Sequence, residues 1–150
     1  MDKTELEERN RNDEDLSGTA LTAVDLAGAN LYGANLLGAN LYGANLLGAN
    51  LAAANLTGVN LTRSNLSNAN LCGANLVGAD MMTANCPGVN LAGANLGGAN
   101  LIGANLSGAN LFGADLSLAD LQGANLAGAS LADVVYDDGT RWPDGFVPPA

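Results

Sequence analysis

A leucine stands at every fifth position from Leu16 to Leu131, replaced only by Met81 and Cys86. From Asp25 to Asn125 the residue before it is always Asn or Asp. Two places before the leucine, from Thr19 to Ala129, sits Ala at 18 of 23 positions, and two places after it Gly is usual. The unit is therefore Ala-Asn-Leu-x-Gly. Steps of five turn an α-helical side chain by ~140°, which scatters the leucines around the axis. On a flat strand the same steps alternate faces, so half the leucines would meet water. A chain that bends once per unit avoids both outcomes, because each short extended piece aims Leu and the small residue inward. The pattern predicts an all-β parallel solenoid.

Glycine serves the bend by adopting positive φ without steric cost, as the third residue of a type II turn requires. Ala53, Arg63, Asn68, Thr83 and Leu118 fill that place without glycine. A different turn geometry is expected there, with Asn68 alone suited to the left-handed region. Pro87 is expected to remove a ladder donor and distort its coil. Asn side chains fit corners because they bond nearby turn backbone.

Runs such as Ala29-Asn30-Leu31-Tyr32-Gly33 and Ala104-Asn105-Leu106-Ser107-Gly108 resemble the pentapeptide repeat family. The resemblance implies a right-handed quadrilateral β-helix with four units per coil, and hence about six coils. With 20 residues per coil, Leu16, Leu36, Leu56, Leu76, Leu96 and Leu116 would form one inward column, and Leu21, Leu41, Leu61, Met81, Leu101 and Leu121 the next. The division expected is an acidic tail or short capping helix over 1–15, the β-helix over 16–136 and a capping segment over 137–150.

The same winding sorts the outward residues. Tyr32, Leu37, Tyr42 and Leu47 fall on four different sides and would ring the shaft. Tyr42, Met82 and Ile102 share one column with Thr22, Thr62 and Gln122, giving the best apolar stripe and a candidate partner surface. The stripe's Thr22 and Thr62 are separated by Tyr42, so no regular ice-binding threonine array forms.

Fifteen acidic residues against five basic ones give a net charge of −10, with no histidine and two cysteines. Such a balance argues against nucleic-acid binding, which needs clustered Lys and Arg. It also argues against His-based catalysis and most zinc sites. No apolar run is long enough to span a bilayer, and the charged start MDKTELEERN lacks the pattern of a secretory signal. A cytoplasmic, non-enzymatic protein without cofactor is expected. Cys72 falls outward and Cys86 inward, so no disulfide between them is expected.

Both ends read as caps, which an open solenoid needs against stacking of copies. Residues 1–15 hold seven acids and three bases. Thr4-Glu5-Leu6-Glu7 fits a capping box, which suggests a helix over about 5–12, with a disordered tail as the alternative. At the other end Val134 and Tyr136 keep the five-residue register and are expected to extend the core. Trp142 and Phe146 are expected to close the last coil over Leu116, Leu121, Leu126 and Leu131, so Tyr136, Trp142 and Phe146 form the C-terminal cap. This ending is similar to the tail of many cyanobacterial pentapeptide repeat proteins.

The functions implied are a rigid scaffold binding an unknown protein partner or, as the alternative, a DNA mimic acting on DNA gyrase, as some members of the family do. Mimicry needs acids along the shaft, yet residues 16–131 carry only Asp25, Asp80, Asp115 and Asp120 with Arg63. A monomer or a weak oligomer, end-to-end or side-by-side, is expected.

Overall fold

The computed structural model describes residues 1–11 and 13–150. One helix, α1 (Lys3–Arg11), precedes a parallel solenoid. From the pair Ala20 and Asn40 to the pair Asp115 and Val135, every parallel bridge joins residues 20 positions apart. Bridges recur every five residues, so each coil has four sides. A side is too short for more than one bridged residue, and the sheet is a stack of single-residue rungs.

One unit shows how the sequence produces the rung. The N–H of Asn55 donates to the Ala34 carbonyl of the preceding coil (2.9 Å), and the Leu56 N–H donates to the Asn75 carbonyl of the next (2.7 Å). The Val59 N–H closes the corner on the Leu56 carbonyl at 3.1 Å, with Gly58 at φ +62° between them. The Asn55 side chain does two jobs. Its Oδ1 accepts the Thr57 N–H at 3.2 Å, and its Nδ2 donates to Asn35 Oδ1 at 3.1 Å. Backbone polar groups are thus satisfied inside the shaft as burial demands.

Paired Asn35 and Asn55 set Leu36 above Leu56, and both leucines have no solvent exposure. The small position lies flat beside them. Where it is Ser or Thr, the hydroxyl is bonded at once: Ser64 Oγ donates to the Leu61 carbonyl at 2.7 Å and Thr19 Oγ1 to the Leu16 carbonyl at 2.8 Å. Cys86 takes a leucine place, and its burial pushes the thiol up to about 12. Cys72 is exposed, and both cysteines are free.

Three expectations about the coils are corrected. The corners lacking glycine do not change geometry: Ala53, Arg63, Thr83 and Leu118 stand at φ +58°, +58°, +54° and +60°, with Ala23 and Asp133 also positive. The ladder imposes this, since the Ala53 N–H must still reach the Cys72 carbonyl (2.9 Å) and the Thr83 N–H the Ile102 carbonyl (2.9 Å). Pro87 does not distort its coil, and Cys86 and Gly88 keep their ladder bonds at 2.8 and 2.9 Å. Its place donates only to the preceding Asn side chain elsewhere, and the second residue of a turn suits proline. Tyr136 does not extend the core, because no further coil covers it, and it is exposed.

The helix begins earlier than the capping box suggested. Asp2 is its cap, accepting the Glu5 N–H at 2.9 Å, so Thr4 lies inside the first turn. The expected helix end at Asn12 lies outside the described residues. No helix among the described residues is long and apolar enough to cross a membrane.

Candidate interaction surfaces

Winding with a 20-residue coil gives every outward residue a fixed address. The bridges joining Asn40, Asn60, Asp80, Asn100 and Asp120 stack Tyr42, Thr62, Met82, Ile102 and Gln122 on one side. Each N–H along the stripe is held by the side-chain oxygen two residues before it: Tyr42 by Asn40 and Met82 by Asp80, both at 3.1 Å. Ile102 is held by Asn100 at the same distance. Tyr42 and Met82 are exposed and Ile102 is half-buried. Sequence reasoning missed that Arg63, the single cation of the shaft, donates to the Tyr42 hydroxyl at 3.3 Å. Nothing in the five-residue pattern signals that contact.

The ring of Tyr32, Leu37, Tyr42 and Leu47 is exposed on all four sides of one coil. Phe112 is also exposed, on the side of Tyr32, and register arithmetic alone would have found it.

The N-terminal end is closed by α1, whose Leu6 is fully buried against the core. The first coil lacks a predecessor, so its outward-facing carbonyls and amides need other partners. Lys3 Nζ donates to the Ala27 carbonyl (2.7 Å) and Asn10 Nδ2 to the Tyr32 carbonyl (3.2 Å), while Glu7 accepts the Asn30 N–H (2.7 Å). Lys3, Leu6, Glu7 and Asn10 share one helical face by their spacing. Beyond α1, the Ser17 N–H holds the Asp15 carboxyl below the usual carboxylate range, helped by Asn35 Nδ2 at 2.7 Å and the charge of Arg9.

The C-terminal end is closed differently. The last rung pairs Asp120 with Arg141, 21 residues on, so one residue has been inserted. Thr140 takes up the slack, with its hydroxyl on the Leu116 carbonyl at 2.9 Å. The Leu118 N–H bonds Asp137 Oδ1 at 3.0 Å and is the main cause holding that carboxyl below its usual range, with Gly139 and Thr140 adding to it. Trp142 and Phe146 pack on the core, stacked with ring centres 5.2 Å apart. Tyr136 meets Trp142 edge-on at 5.4 Å, and its hydroxyl donates to the Pro149 carbonyl. The aromatics therefore gather, with Tyr136 outermost. They do not seal the end: an open groove of about 310 Å³ remains between Leu126 and Phe146.

Among the described residues no group of three His, Cys, Asp or Glu side chains is placed to hold a metal ion. The pentapeptide repeats model matches eight copies, over residues 15–48, 49–85, 83–117 and 114–135. The chain belongs to the pentapeptide repeat family. It is similar to Rfr23, a pentapeptide repeat protein of the cyanobacterium Cyanothece 51142, at 29% identity over 93% of this chain and 98% of that one, with a TM-score of 0.45. HetL, from the cyanobacterium Nostoc sp. strain PCC 7120 and involved in heterocyst differentiation regulation, is 33% identical over 89% of this chain and 78% of its own, with a TM-score of 0.34. Full-length QnrB1, a plasmid-mediated fluoroquinolone resistance protein, is 19% identical over 92% and 89%, with a TM-score of 0.50. The likeness to QnrB1 is one of fold. No curated protein matches the chain.

Proposed function

We propose that this member of the pentapeptide repeat family is a non-enzymatic scaffold that presents a rigid outer surface to a protein partner. The observation that carries this reading is the stripe of Tyr42, Met82 and Ile102, set at coil spacing with Arg63 on the Tyr42 hydroxyl. Tyr, Met and Arg are enriched at protein interfaces, and a solenoid presents them on a preformed backbone that need not be ordered on binding. Its interior is filled by leucine and alanine, which supports a role at the surface. The reading takes the solenoid as right-handed with about six coils, bounded near residues 16 and 136, and the protein as cytoplasmic. Trp142 and Phe146 act as a cap, with Tyr136 bracing them.

The DNA-mimic alternative draws no support from charge. Asp80 and Asp120 bond the Met82 and Gln122 amides, and Asp120 also faces Arg141 at 3.7 Å. What remains is too sparse to imitate a phosphate backbone.

Affinity capture from the native host with the wild-type protein and with Tyr42, Met82 and Ile102 all changed to Ser tests the scaffold reading. A specific partner lost with the triple variant supports it. A partner retained unchanged contradicts the stripe, and inhibition of DNA gyrase supercoiling by low concentrations of the purified protein would put the alternative in its place.

A further inference from the structure

The last full coil ends in a half-paired edge. In the coil below, the Leu106 and Gly108 N–H groups donate upward to the Asn125 and Ala127 carbonyls at 2.8 Å, and the Ala104 carbonyl accepts the Asn125 N–H at 2.9 Å. One coil further on, the equivalent Leu126 and Gly128 N–H groups and the Ala124 carbonyl have no hydrogen-bond partner among the described residues. On the neighbouring side Arg141 takes the rung, pairing with Ala119 and Leu121, and the Gly123 N–H there is without a hydrogen-bond partner among the described residues. The groove of about 310 Å³ opens directly beside the unpaired side, lined by Ala124, Leu126, Ala127 and Phe146, with Asp144 on its rim. Leu126 is the one member of its column with measurable exposure, at 8%.

We propose that this edge is a strand-addition site for an extended peptide of another protein, distinct from the Tyr42 stripe. The ladder states what the peptide must offer. One residue donates its N–H to the Ala124 carbonyl and accepts the Leu126 N–H, so it is not proline. The next points a leucine-sized aliphatic side chain into the groove between Leu126 and Phe146. The third accepts the Gly128 N–H through its carbonyl. This is recognition by backbone pairing with one specificity pocket. Asp144 and the acidic character of the whole chain favour a basic residue in the segment.

The probe is the blocked peptide Gly-Ala-Asn-Leu-Lys-Gly-Ala, with a control in which Pro replaces its Asn. Amide exchange and shifts of the full-length protein are followed by NMR at millimolar peptide. At a peptide concentration near four times the dissociation constant, exchange at Leu126 and Gly128 slows about fivefold. The Pro peptide leaves both amides unchanged, and Asp144→Lys weakens binding of the Lys peptide without altering the fold. Unshifted Leu126 and Gly128 amides overturn the proposal, as does an equal response to the Pro peptide. Amides already protected in a concentration-dependent way without peptide overturn it too, since a second copy would then fill the edge. None of these outcomes depends on the Tyr42 stripe.

Discussion

Glu7 on α1 accepts the backbone N–H of Asn30 at 2.7 Å, where a preceding coil would have offered a carbonyl. The helix completes the ladder with side chains, and only Leu6 anchors it by burial. Removing Glu7 leaves an edge amide for water, a modest loss, whereas removing Leu6 detaches the cap. Leu6→Asp should therefore abolish amide-exchange protection in residues 16–35 while leaving residues near 76–95 protected. Uniform loss along the shaft would show that the cap governs the whole stack.

Adjacent positions should differ sharply. Leu36 is fully buried and Leu37 exposed. Leu36→Ala should cost about 2–5 kcal/mol through transfer and cavity terms, and Leu37→Ala no more than ~0.5 kcal/mol. Urea unfolding of both variants measures the contrast.

The non-glycine corners hold strain that glycine relieves. Thr83 is β-branched at φ +54°, a conformation disfavoured by ~1–2 kcal/mol for side chains with a Cβ. Thr83→Gly should raise stability by up to ~1 kcal/mol after the entropic cost of glycine. A lowered urea midpoint would mean that the Thr83 side chain contributes more than its backbone loses.

How much of this was readable beforehand follows from what carries each feature. The inward columns, and the shared side of Tyr42, Met82 and Ile102, depend only on a period of five and a coil of 20, the first in the sequence and the second implied by the family. The corner at Thr83 was misread because local preference favours another turn, whereas bonds to Ile102, nineteen residues away, hold it left-handed. The inserted residue before Arg141 was also hidden. It depends on Thr140 reaching Leu116, a contact no local pattern announces. Arg63 escaped notice for the same reason.

Both ends should loosen in acid. Asp15 and Asp137 have carboxyls held below their unfolded value, near 3.9. Their contribution is present above that value and is lost as the pH falls through the folded ones. Exchange protection near Ser17 and Leu118 should fall as the pH drops below the ordinary carboxylate value, before the shaft unfolds. Asp15→Asn and Asp137→Asn should each flatten the response at its own end only.

A distance between two outward residues of one side addresses the winding most directly. Ser17 and Ser117 lie 100 residues apart in sequence but five coils apart on the same side. At ~4.8 Å per rung, their backbones should be separated by about 24 Å. Spin labels at Ser17→Cys and Ser117→Cys, with Cys72→Ser to remove the exposed thiol, should give one narrow distribution centred within label length of that value. A broad distribution, or a mean beyond about 40 Å, would contradict a 20-residue coil.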